Sequence, residues 1–273
     1  MTPYDTLSET EWVQVERVRD LLDENEIEEA RIALDAMLRK RPKQADLRIL
    51  DAELRLEEGD ATRALASLRG AERSADPAHF FYLRAAANYE LVKFPEALED
   101  AERSIVIHPD YGHGWNLIAR IREHVGDAEG AAKADANALA IDPVAFPAPL
   151  EVATEEFDAL VQRAVSELPK KIREKLEEMP IVVQDLPGSE ILIEEDPPLT
   201  PDLLGLFVGR HIFARSSAES PGAPGAIFLF RRNLLRVCAD REELAHEVRI
   251  TVQHEVGHLM GLDEDELDDW GLA

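Results

Sequence analysis

The sequence predicts a mainly α chain: a solenoid of helical hairpins followed by a small α+β domain with a short β-sheet and a long helix near its end. Three observations lead there. Small residues recur at Ala30, Ala64, Ala97 and Ala131, spaced 34, 33 and 34 residues apart. Short apolar runs of strand length follow residue 178. Finally, an apolar stripe at helical spacing (Leu244, Val248, Val252) runs into the string His254-Glu255-Val256-Gly257-His258.

Taken in order, the repeating half comes first. Seven residues after each recurring alanine stand Met37, Ala71, Ser104 and Ala138, the same face of a helix two turns on. Two helices that cross closely leave room there for little more than a methyl group. Pro42, Pro77, Pro109 and Pro143 are read as closing four units, because a second helix must stop before the next unit begins. Phe81 and Trp115, also 34 apart, supply a large residue in the first helix, and Gly59-Asp60 and Gly126-Asp127 mark turns inside hairpins.

This pattern resembles the tetratricopeptide repeat over about residues 11 to 145. The resemblance implies a curved stack with a partner-binding inner face, and by repeat position it places Tyr82, Tyr89, His113, Asn116 and Arg120 on that face. The lysines with which some members clamp a C-terminal carboxylate are not matched here.

A proline-rich connector spans 146–150, and the second domain runs from 151 to 273. It opens on a helix marked by Phe157, Leu160, Val161 and Val165. Strands are expected at Ile181–Val183, Ile191–Ile193, Leu203–Val208 and Ala226–Phe230, with the last as the edge onto which an extended substrate would add. Asp240 caps the final helix and Gly261 ends it, since glycine accepts the left-handed turn.

The chemistry lies in HExxH. Residues four apart share a helix face, so His254 and His258 can hold one metal ion while Glu255 leans toward it as general base. Zinc suits two imidazoles and a carboxylate with one corner left for water. Bound water then loses its proton near neutral pH, Glu255 takes it and returns it to a leaving amine. Glu264, three residues after Gly261, is the first choice as third ligand, with Asp263, Asp265 and Asp268 as alternatives. A donor for the developing oxyanion is sought among His211, Arg215 and His246.

Residues 151–273 resemble a small family of bacterial metallopeptidases with a minimal zincin-like domain. The resemblance is carried by the opening EEFDALVQRAVSELP, Leu204-Gly205-Leu206-Phe207, RHIFARS, IFLFRRN and HEVGHLMGL with its acidic run. It implies ligands at His254, His258 and Glu264 and a base at Glu255. That family more often has aspartate at the third position.

Composition limits the partners. A formal charge of −26, with 26 acidic against 12 basic residues in 151–273, repels nucleic acid and anionic membrane alike. The N-terminus lacks a signal-peptide pattern, no long apolar run is present, and Cys238 is the only cysteine; cytoplasmic residence is expected. Two functions fit: a zinc peptidase whose repeats recruit a protein substrate, or a repeat-based interaction protein with a structural or inactive metal-binding domain.

Overall fold

The structure, a computed structural model, describes residues 6–73, 76–176, 179–209 and 225–261. It divides into two compact units, Met1–Pro147 with Ser189–Thr200, and Ala148–Gly188 with Pro201–Ala273.

The first unit is a run of antiparallel hairpins: α1 (Glu9–Asp23) with α2 (Ile27–Leu38), α3 (Ala45–Glu57) with α4 (Ala61–Leu68), α5 (Pro77–Glu90) with α6 (Phe94–Ile107), and α7 (Gly112–His124) with α8 (Ala128–Ile141). Each helix packs on the next in sequence, and the first helices α1, α3, α5 and α7 also touch in succession. Ala30, Ala64, Ala97 and Ala131 sit on the second helices and are at most 2% exposed, which lets the helix axes approach closely. The mainly helical repeat architecture read from the sequence is therefore what the chain adopts.

Two details of the repeat differ. Pro77 opens a helix instead of closing one: it is the first residue of α5, behind the Asp76 cap that accepts from His79 N–H, a position where a missing amide proton costs nothing. Ala71 is buried but lies beyond α4, which ends at Leu68 before Gly70 takes a left-handed φ of +81°. The turn inside each hairpin repeats too, with left-handed residues at Asn25, Gly59, Val92 and Gly126. Valine is a poor occupant of that region because its branched Cβ crowds the backbone, so Val92 is a point of local strain.

Ion pairs brace the hairpins where the small residues leave no apolar bulk. Arg84 on α5 donates twice to Asp100 on α6, at 2.7 and 2.6 Å, and that carboxylate is only 7% exposed. Asp51 on α3 accepts from Arg31 on α2 and from Ser67 on α4, so one buried carboxylate ties three helices.

In the second unit, α9 (Thr154–Glu167), α10 (Lys170–Leu176), β1 (Ile181–Gln184), β2 (Gly205–Val208), β3 (Ala226–Phe230), α12 (Arg231–Val237) and α13 (Arg241–Met260) follow one another, with the short α11 (Ser189–Leu192) belonging to the first unit. The apolar run at 191–193 is thus helical at its start and not a strand. The three strands form one sheet in the order β1-β3-β2, β1 parallel and β2 antiparallel to β3. β3 is the central strand. Both of its edges are occupied, so it cannot take an added strand as expected from the sequence, and β2 is the edge that packs against α13. The core under α13 is built from Phe157, Val161 and Ala164 of α9, Ile227 and Leu229 of β3, Leu234 of α12, and Leu244, Val248, Val252, Val256 and Leu259 of α13.

Candidate metal centre

The helix that carries HExxH is fixed at both ends by its own sequence. Asp240 accepts from the N–H groups of Glu242 and Glu243 at 2.8 and 3.0 Å, satisfying two amides that a helix start leaves unpaired. Glu243 reaches back to the N–H of Ala239 at 2.7 Å, one residue earlier than a capping box requires. At the other end Gly261, φ +79°, closes the last turn, with its N–H bonded to the carbonyls of Gly257 and His258. Twenty residues of α13 therefore form a rigid rod, and its valine stripe seats it on the core.

On this rod His254 and His258 converge. Their Nε2 atoms lie 2.9 Å apart, and the rings meet edge to face with centroids 4.5 Å apart. Two imidazoles can hold that contact only with a proton between them, one nitrogen donating and the other accepting. A cation with vacant coordination positions replaces such a proton, for it takes the lone pairs of both nitrogens at once. Zinc–nitrogen distances of about 2.0–2.1 Å in a tetrahedral site set two ligand nitrogens roughly 3.4 Å apart. The rings need to open by only a few tenths of an ångström, so the pair fits zinc. Both histidines are half-buried.

Glu255 is 6% exposed, unusual for a carboxylate, and lies beneath the first residue of β2. One turn before it, Thr251 turns its hydroxyl back to the carbonyl of Glu247 at 2.8 Å, leaving its methyl toward the same strand. Both residues belong to the face that β2 covers.

The remaining expected residues divide. Glu264, Asp263, Asp265, Asp268, His211 and Arg215 lie outside the described residues. Among the described residues, no cluster of three or more His, Cys, Asp or Glu side chains is suited to a metal. His246 is exposed and pairs with Arg249 at 2.9 Å. Eight residues before His254, it is about 12 Å away along the axis at 1.5 Å per residue, too far to serve an oxyanion at the histidine pair. It lines a groove between α9 and α13 with Arg163, Glu167 and Arg249. Cys238 is buried, and burial together with Glu243, Glu247 and Asp240 pushes its thiol up to about 11, an unreactive side chain at neutral pH.

On the first helices of the repeats, Tyr82 and His113 do come together, 5.8 Å between ring centroids, around Tyr111, which the sequence reading passed over. His79 joins them by a 2.8 Å hydrogen bond to the Tyr111 hydroxyl and lies 3.5 Å from Glu53 on α3. Burial works to raise the Glu53 carboxyl, but the nearby His79 imidazole and its charge outweigh it and hold the group below its ordinary value. Burial, then the charge of His79, lowers the His113 imidazole. Asn116 is half-buried on α7, and Arg120 lies with its guanidinium 4.8 Å from the centre of the Tyr89 ring. Tyr89 itself does not face a partner: at 1% exposed it is hairpin core, packed on Phe94 and His124.

Residues 176–272 match the family model described as zincin-like metallopeptidase. No curated protein matches the chain. Among solved structures the crystal structure of MamA is similar over 58% of this chain and 86% of that one, at 15% identity and a TM-score of 0.40, too remote to add weight to the fold described above. No described helix is long and apolar enough to cross a membrane.

Proposed function

We propose that the chain is a zinc-dependent peptidase, that its catalytic domain occupies 151–273, and that its helical repeats, about 11–145, recruit a protein substrate or partner. The observation that carries this reading is the 2.9 Å approach of the His254 and His258 Nε2 atoms, with the buried Glu255 carboxylate beside them on the same helix.

His254 and His258 would hold the ion, with Glu264 as our choice for the third ligand. When bound, zinc polarises the scissile carbonyl and makes water acidic enough to attack it. Glu255 would take the proton of the attacking water and deliver it to the amine as the peptide bond breaks. The low exposure of Glu255 keeps bulk water from competing for that proton.

An extended substrate is placed along β2, the strand of the sheet that packs against the metal helix α13. On the repeats, the Tyr82, Tyr111, His79 and His113 rings with Glu53 form the face we assign to the partner; the overall charge of −26 favours a basic or neutral one.

A digest of a broad library of unstructured peptides, read by mass spectrometry, tests the proposal. Zinc-loaded protein is expected to produce defined cleavages that vanish on chelation and return when zinc is restored. Identical peptide profiles with and without zinc would remove it.

A further inference from the structure

We infer that Gly205 is a positioning residue for Glu255: the missing side chain of this one strand residue is what lets β2 hold the carboxylate in place. A Cβ built at Gly205 would lie 2.9 Å from Glu255 Cγ, 3.0 Å from Glu255 Oε1 and 2.7 Å from Thr251 Cγ2. Methyl carbons do not approach other heavy atoms that closely, so with any other residue either the strand lifts or the carboxylate turns.

The strand has little freedom to lift. Gly205 faces Leu229 in the β2–β3 register, Leu229 and Ile227 are fully buried, and Phe207, two residues on and on the same face of β2, packs against the core beneath α13. The helix is held as well, because Val248, which shares a face with Glu255, and Val252 and Val256 beside it are fully buried in the core. The soft coordinate is the Glu255 side chain, whose torsions rotate at small cost. Nothing about backbone conformation demands glycine here, since Gly205 is ordinary strand with no left-handed φ among its features. Close approach to Glu255 and Thr251 is the one requirement the structure places on it.

The three atoms nearest a Cβ at Gly205 all belong to Glu255 and Thr251, so this residue acts on the metal site through the base. The inference rests on Glu255 acting as the base, and its test therefore separates the two. In the full-length, zinc-loaded protein, Gly205→Ala is expected to lower kcat about tenfold to a hundredfold, as an ångström-scale misplacement does, with KM and zinc affinity within about twofold of wild type on the view that uniform binding is untouched. Gly205→Ala with Thr251→Ser removes the 2.7 Å contact while keeping the hydroxyl bond to Glu247. Gly205→Ala is expected to lower the thermal midpoint through its clash with the Thr251 methyl, and the double variant should recover that midpoint without recovering kcat. A second readout needs no turnover: the 13C signal of the Glu255 carboxyl in metal-free protein should move in Gly205→Ala. Recovery of kcat together with the midpoint, or a carboxyl signal that stays where it is in wild type, would overturn the inference. If the wild type cleaves nothing while that signal does move, the peptidase reading fails and the seat stands.

Discussion

Glu255→Gln protein is expected to bind zinc as wild type does and to cleave peptides about a hundredfold to ten-thousandfold more slowly, the usual worth of a positioned general base. The substitution is nearly isosteric, and that matters because Glu255 is 6% exposed under a strand with no spare room. A glutamine occupies the same volume and keeps a carbonyl oxygen near the Gly205 backbone, so the fold and the histidine pair are preserved. What it loses is the ability to take up a proton. An amide cannot accept one at neutral pH, and His246, the nearest described histidine outside the pair along α13, stands two turns away. Zinc content should remain one per chain, and KM should change little. Variant and wild type cleaving at equal rates would show that the proton goes elsewhere. Loss of zinc along with activity would instead place Glu255 among the ligands.

The largest expected effect on stability comes from Phe157→Ala. Phe157 is fully buried on α9 and lies in the core that supports the metal helix, with Val248, Val252 and Val256. Truncation removes a ring from a closely packed site and leaves a cavity that helices on both sides can only partly close. The cost is about 3–5 kcal/mol, a large share of the ~5–15 kcal/mol that holds a typical domain together. Urea unfolding of the metal-free protein, followed by a probe in the second unit, checks it. Because zinc binds only the folded site, saturating metal should return part of the loss by mass action. A change below about 1 kcal/mol would mean the site collapses around the gap and that α13 is held by other contacts.

Much of the fold was legible because its determinants are local. The 34-residue recurrence of Ala30, Ala64, Ala97 and Ala131 reports a close helix crossing, which admits few residue types. The stripe Leu244, Val248, Val252 and the caps Asp240 and Gly261 mark α13 for the same reason. What escaped has equally physical causes. Proline fits both just after one helix and at the start of the next, so Pro77 could be assigned to either. A left-handed turn shows as glycine at 59 and 126 but is disguised as Asn25 and Val92 in the other hairpins. Three apolar residues at 191–193 are too few to separate a period of 2 from one of 3.6, and α11 is helical.

The site divides along the same line. His254, Glu255 and His258 are neighbours in sequence, and helical geometry alone brings them to one face. Strand order is a non-local property, so nothing in Ala226–Phe230 itself announces that β3 is flanked on both sides and that β2 holds the edge. Gly205 lies fifty residues before Glu255, and a glycine in a strand does not say what it makes room for. The ring cluster on the repeats was half visible: Tyr82 and His113 follow from repeat position, whereas Tyr111 precedes α7 and enters only through the packing of successive hairpins.

X-ray absorption at the zinc edge of the protein loaded with one equivalent of metal interrogates the histidine pair itself. A single zinc per chain is expected, with two imidazole nitrogens at about 2.0–2.1 Å, and loss of that imidazole signal in both His254→Ala and His258→Ala. A zinc shell without imidazole, or one that survives both substitutions, would contradict the two-histidine site.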